Sequence, residues 1–293
     1  MSATLGEVHP MPLLPTIDLC GTVVTRLICG GNPFSGYSHV SADLDWEMIR
    51  YYTMPRLQAT LAECWRCGIN TVQTRGNRLM MRMILEHREN GGQLHWLAQT
   101  ASEFRDIKAN IAEIRRYQPF AIYHHGTHTD NAWHTGRMEE VREIIRAIKE
   151  QGLPAGLGTH IPEVIQYAED KGWETDFYMA CFYNLARGYK SAPATQQDAY
   201  QRDRFPEEDP PHMTAVLRQV RKPCLGFKIL AASRRCGSPD EVRRAFEFAF
   251  DHLKPTDAVV VGVFQRNKNQ VAENARFVRE ILSRGQVLNT GSS

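Results

Sequence analysis

No block of single-signed charge, no long apolar run and no phosphate-cradling glycine pattern occurs anywhere in this chain. Lysines and arginines total 35 against 33 acidic residues, a formal balance of +2. A polyanion partner would want a clustered basic surface, so neither nucleic acid nor an anionic membrane is expected. No stretch reaches the roughly 18 consecutive apolar residues that a spanning helix needs. Gly30-Gly31 and Gly156-Leu157-Gly158 lack the GxGxxG spacing of a dinucleotide turn, and GxSxG, P-loop and HExxH sequences are absent.

Cysteine is sparse and unpaired in pattern. The seven residues Cys20, Cys29, Cys64, Cys67, Cys181, Cys224 and Cys236 are odd in number and scattered. Met1 to Leu14 has neither a basic head nor a continuous apolar run. Both features predict reduced thiols and a cytoplasmic location. Cys64 and Cys67 form a CxxC, but one pair at the end of an amphipathic helix running from Arg56 reads as helical coincidence.

What is present is alternation. Eight short apolar runs are candidate strands: 23–29, 70–74, 94–99, 120–124, 155–159, 175–180, 224–229 and 258–262. Between them, Ile107, Ile111 and Ile114 recur at helical spacing, as do Val141, Ile144, Ile145 and Ile148, then Val242, Phe246 and Phe250, then Val271, Ala275, Val278 and Leu282. Ser238-Pro239 signals a helix start, and Gly152 and Gly172 signal helix ends. Strands alternating with helices imply a parallel sheet, and eight units fit a closed (β/α)8 barrel of about 250 residues better than a doubly wound sheet. The expected layout is one domain: an N-terminal arm at 1–26, the barrel at about 27–285 and a disorder-prone tail at 286–293. Residues 33–56 and 184–211 read as long loops after strands one and six, a length that points to function.

In a barrel the carboxyl ends of the strands face the catalytic mouth. Those positions carry Asn32 with the loop His39, Gln73, Arg75, Gln99, His124, His125, His160, Tyr183, Asn184, Arg187 and Lys228. Apolar strands that end repeatedly in polar side chains are poorly explained by packing. Histidine suits proton transfer or a divalent metal, so His124, His125 and His160 are the catalytic candidates, and His125, His160 and Glu163 the candidate metal ligands. Strand alternation prevents His124 and His125 from both pointing inward. Lys228, within an apolar strand, is expected to have a lowered pKa and to face a substrate oxyanion in preference to forming an imine. Asn32, Gln73, Arg75, Gln99, Tyr183, Asn184 and Arg187 are the expected substrate contacts.

The segments 17–31, 67–74 (CGINTVQT) and 261–275 together resemble the aldo-keto reductase superfamily. The first is similar to that family's hairpin feeding strand one, the second to its second strand, the third to its strand-eight region. The resemblance implies a (β/α)8 barrel with an N-terminal hairpin. It assigns Gln265, Arg266, Lys268, Glu273 and Asn274 to the adenosine end of NADP. The family's catalytic tetrad is not retained: Gln73 stands for its Asp, Gln99 for its Lys, and Arg75-Gly76-Asn77-Arg78 where its Tyr belongs. Only its His survives, as His124 or His125. The expected activity is therefore proton transfer on a small, sugar-like carbonyl compound by a lyase, isomerase or epimerase, with a His-bound divalent metal left open. One alternative is an NADP-dependent reductase with Tyr183 or His125 as rebuilt proton donor, and another is a non-catalytic binding barrel. A small-molecule substrate is the expected partner, and homo-oligomerisation is left open.

Overall fold

A computed structural model describes residues 11–187, 200 and 203–289. A two-stranded antiparallel hairpin, β1 (Thr16–Leu19) and β2 (Thr22–Thr25), precedes the sheet. Eight parallel strands follow: β3 (Leu27–Gly30), β4 (Thr71–Arg75), β5 (His95–Gln99), β6 (Ala121–His124), β7 (Ala155–Thr159), β8 (Phe177–Cys181), β9 (Cys224–Phe227) and β10 (Ala258–Gly262). They close into a barrel because β10 pairs with both β9 and β3, with Val259 opposite Leu27 and Gly262 opposite Gly30. The doubly wound alternative is thereby excluded.

Helices wrap the barrel: α1 (Ala42–Tyr51), α2 (Met54–Arg66), α3 (Arg78–Glu89), α4 (Ile107–Arg115), α5 (Gly126–His134), α6 (Met138–Glu150), α7 (Pro162–Asp170), α8 (Asp209–Leu217), α9 (Pro239–His252) and α10 (Gln270–Asn289). Ser238 accepts from the Glu241 N–H at 3.2 Å and so caps α9 as its sequence predicts. Residues 33–56 are not the long loop expected. They hold a short 3-10 turn at Pro33–Ser35, all of α1 and the start of α2, because Ser41 caps α1 by accepting from the Leu44 N–H. Helix α10 continues to Asn289, past the expected start of a tail at 286, and 290–293 lie outside the described residues. Of the loop expected at 184–211, residues 188–199, 201 and 202 likewise lie outside them.

Two buried layers follow from the two-residue period of the strands. Ile28, Leu97, Ala121, Tyr123, Phe177, Met179, Leu225 and Val260 fill the barrel interior, where Ile17, Leu19 and Val24 of the hairpin join them. Their neighbours Cys29, Val72, Trp96, Ile122, Leu157, Tyr178 and Val259 pack outward against the helices. The hairpin is tied on by Asn70, whose Oδ1 accepts from the Thr25 N–H at 2.9 Å. Gly156 is required by close approach: a Cβ there would lie 2.4 Å from the Phe177 ring and 2.6 Å from Tyr123 Cβ. Gly156→Ala should overpack the interior and lower the unfolding free energy by about 1–3 kcal/mol. A urea titration checks this, and wild-type stability would contradict the packing described.

Candidate active site

A cavity of about 340 Å³ opens at the carboxyl ends of the strands. Tyr123, Met179 and Val260 reach it from the barrel interior, together with Gln73 and Gln99. Tyr37, Ser38, His39, Leu44 and Met48, from the segment between β3 and α2, line it from one side, and residues 227–233 after β9 from the other. Among the described residues no carboxylate lines it, and Lys228 is its only lysine or arginine.

Strand alternation decides which groups enter. Tyr123 points inward and its hydroxyl accepts from Gln73 Nε2 at 2.8 Å, which leaves the phenolic hydrogen for another acceptor. Burial raises the Tyr123 pKa above the ordinary tyrosine value, the positive Arg75 opposing, so the phenol stays protonated and remains a donor. His124 consequently faces away from the interior. Its Nδ1 lies 3.2 Å from Thr100 Oγ1, its ring packs against His128, and burial pushes its pKa down to about 3. The expectation that His124 serves the mouth is corrected on this ground. His125 is the N-cap of α5: its Nδ1 accepts from the Thr127 N–H at 3.1 Å. Burial, then the charge of Arg75, hold its pKa well below the ordinary histidine value.

His160 follows β7 and is held by a buried carboxylate. Asp130 accepts from His160 Nδ1 at 2.6 Å, from the His160 N–H at 3.1 Å and from Thr159 Oγ1 at 2.6 Å. With Nδ1–H committed to a carboxylate, Nε2 is the proton-accepting nitrogen. The His160 ring meets the edge of Phe227, a cavity residue, at 5.5 Å between centroids. A second pair of this kind stands at the cavity, which His39 alone of the two lines: His39 Nδ1 lies 3.0 Å from Asp203 Oδ2. Burial and then the Lys228 charge lower the His39 pKa to about 4, against the opposing pull of Asp203, so this imidazole is neutral at neutral pH.

Lys228 is not inside strand β9, which ends at Phe227. It is the next residue, in the left-handed region at φ 58°, and half-buried in the cavity wall. Its ammonium has no hydrogen bond or ion pair among the described residues, and burial lowers its pKa as its sequence position predicts. Asn32 lines the cavity from an exposed position. Arg75 is drawn aside: it stacks on Tyr37 at 4.5 Å and pairs with Glu103 at 3.1 Å.

Several expected site residues lie elsewhere. Tyr183 is buried against Phe205 outside the cavity, its hydroxyl accepting from Arg235 Nε at 3.1 Å, so it is no proton donor there. The Asn184 N–H donates to Asp209 at 2.9 Å, and Arg187 pairs with the same carboxylate. Glu163 is exposed on α7, and among the described residues no group of three His, Cys, Asp or Glu could hold a metal ion. The ligand set His125, His160 and Glu163 therefore does not assemble, because Glu163 is exposed on α7 and His125, whose Nδ1 accepts from the Thr127 N–H, carries its proton on Nε2.

The residues expected to grip NADP are engaged in the fold. Gln265 Oε1 accepts from the Gln270 N–H at 2.7 Å and caps α10, Arg266 pairs with Glu47 at 2.7 Å, Lys268 pairs with Glu273 at 2.6 Å, and Asn274 is buried. As arranged, they do not fit a nucleotide phosphate, since two carboxylates occupy the cations. Sequence reasoning overlooked Tyr123, although the alternation that places Gln73 and Gln99 inward also selects it. It named His39 and His160 without seeing that each belongs to a His–Asp pair. Asp203 had no legible signal, because its partner is remote in sequence.

No family model matches the chain, and no curated protein matches it. Among solved structures it is similar to the aldo-keto reductase AKR11C1 of Bacillus halodurans, at 13% identity and a TM-score of 0.57, with 94% of this chain and 96% of that one covered. It is also similar to a truncated 3-deoxy-D-arabino-heptulosonate 7-phosphate synthase of Thermotoga maritima, at 14% identity and a TM-score of 0.53, covering 97% and 95%. A third is 3-hexulose-6-phosphate synthase of Salmonella typhimurium, at 16% identity and a TM-score of 0.51, covering 79% and 94%. The aldo-keto reductase likeness is thus one of several fold matches.

The buried histidines give stability a testable pH dependence. His124 keeps a pKa of about 3 in the fold against 6.5 as an ordinary histidine, so the unfolded chain binds more protons between those values. Stability should therefore fall on acidification through that window, by on the order of 3 kcal/mol from this residue by about pH 4. Denaturant titrations at stepped pH should show a shallower acid slope for His124→Asn than for the wild type.

Proposed function

We propose that this chain is an enzyme that moves a proton next to the carbonyl of a small, hydroxyl-bearing substrate, as a lyase, isomerase or epimerase does. One observation carries the reading: His39, held by Asp203, lines the cavity with Lys228, and His160, held by Asp130, packs its ring on the cavity residue Phe227. In the proposed step, a C–H bond beside the carbonyl breaks and its proton passes to Nε2 of one imidazole. The electron pair moves onto the carbonyl oxygen, the second, neutral imidazole relays the proton of the neighbouring hydroxyl to that oxygen, and the imidazolium returns its proton to the former carbonyl carbon, which completes an isomerisation. Asp130 and Asp203 fix the tautomers and stabilise the imidazolium that forms. The Tyr123 hydroxyl, held by Gln73, donates to the oxygen on which charge develops, and the Lys228 ammonium supplies positive potential in a wall that has no carboxylate among the described residues. Gln99 orients a substrate hydroxyl. No step is routed through a metal or a nicotinamide, for which the expected residues are otherwise engaged.

Free and phosphorylated trioses and ketoses incubated with the protein in deuterated water should exchange the proton beside the carbonyl, as followed by proton NMR. Asp130→Asn and His160→Gln should each slow this by about 10²–10⁴-fold. Tyr123→Phe should cost about 10²–10³-fold, with little change in melting temperature. Exchange on no member of the panel, or undiminished exchange by His160→Gln, would remove the reading.

A further inference from the structure

The segment that follows β9 departs from ordinary backbone geometry over a short span. Lys228, Ala231, Ala232 and Ser233 have φ of 58°, 49°, 47° and 76°, and none is glycine. Each such residue costs about 1 kcal/mol or more, so the conformation is not one the chain adopts for its own stability. Three of the four, Lys228, Ala232 and Ser233, line the cavity. The Ala231 N–H closes a turn onto the Lys228 carbonyl at 2.8 Å, whereas the N–H groups of Ala232 and Ser233 have no hydrogen-bond partner among the described residues. Successive N–H groups in a turn form a concave, positively polarised surface for an anion.

The charge around this turn has one sign to spare. Lys228 has no hydrogen bond among the described residues, Arg234 donates to the carbonyls of His39, Ala231 and Ala232, and among the described residues no carboxylate lines the cavity. The nearby acid, Asp203, bonds to the neutral His39 and acts on both cations, so one carboxylate stands against two positive charges. An ammonium half-buried in a mainly apolar cavity, sharing one carboxylate with a guanidinium, is stabilised when a further anion joins it.

We propose that the turn 228–233 is a phosphate subsite, in which Lys228 and the Ala232 and Ser233 N–H groups hold the phosphate of the molecule that occupies the cavity. A tetrahedral dianion offers the several acceptor oxygens that one ammonium and two N–H groups require, which a carboxylate matches less well. The inference rests on the proposed function only in taking this cavity as the substrate site. It narrows the substrate class to phosphorylated hydroxy-carbonyl compounds.

Calorimetry of the purified protein at fixed ionic strength tests it, with inorganic phosphate, acetate, dihydroxyacetone, dihydroxyacetone phosphate and NADPH as separate titrants. Inorganic phosphate should bind, and acetate far more weakly. Lys228→Met should weaken phosphate at least about tenfold. Lys228→Arg should retain it, and Arg82→Ala, exposed on α3 and paired with Glu86, should leave it unchanged. Dihydroxyacetone phosphate binding more tightly than its unphosphorylated parent places the phosphate on a substrate, whereas tight NADPH binding alone places it on a cofactor. As a measurement independent of variant folding, reductive methylation of the wild type should be slowed at Lys228 by phosphate and not by acetate. No phosphate binding at tens of millimolar, equal binding of acetate, or unshielded methylation of Lys228 would overturn the subsite. Phosphate binding without any deuterium exchange would leave the subsite standing and remove the proton-transfer reading, and the converse result would do the opposite.

Discussion

Everything at the mouth depends on closure of the sheet between β10 and β3. Parallel pairing of Val259 with Leu27 and of Gly262 with Gly30 joins the last strand to the first, so no strand of the barrel has a free edge. Once the ring is closed, the two-residue period allows only two environments. One is the interior and its mouth, the other the layer beneath the helices. Tyr123 and His124 are adjacent in sequence, yet the first bonds to Gln73 inside the barrel and the second to Thr100 outside it. A polar side chain at a strand end thus acquires chemical meaning only through its parity in the ring.

The site is built by orientation more than by charge. Asp130 accepts three hydrogen bonds from the Thr159–His160 turn, and this fixes both the backbone after β7 and the imidazole it carries. The second pair, His39 and Asp203, joins residues far apart in the chain across the same mouth. Against these satisfied groups stand a lysine without a hydrogen bond among the described residues and a set of left-handed residues. Regular packing explains the first kind of feature and not the second, which is why the turn after β9 belongs to ligand binding in the reading developed above. The likeness to aldo-keto reductases extends through the barrel, but the groups that would run that chemistry are replaced or turned to other uses.

Much of the fold was legible before any coordinates. Apolar runs at 155–159 and 258–262 coincide with β7 and β10, and the Ser238-Pro239 start of α9 is where its capping pattern placed it. These are local matters of hydrophobic period, capping and turn chemistry, each written within a few residues. The inserted helix α1 was missed because its apolar residues form no buried stripe, Met48 alone of them being buried. Trp46 and Ile49 are exposed, so the helix shows little of the periodicity that a buried stripe would impose.

The chain's alternation of apolar runs and amphipathic segments was enough, by itself, to specify a parallel barrel and to put Gln73, Gln99, His160 and Lys228 at its carboxyl end. Only the tertiary structure decided which of them converge. It paired His160 with Asp130 and His39 with Asp203, turned His124 outward, withdrew Arg75 to Glu103 and kept Tyr183 in the core. The physical reason is one of range. Secondary structure follows from interactions along a few residues, whereas a hydrogen bond between groups many residues apart depends on how the whole ring closes, and no local pattern encodes that.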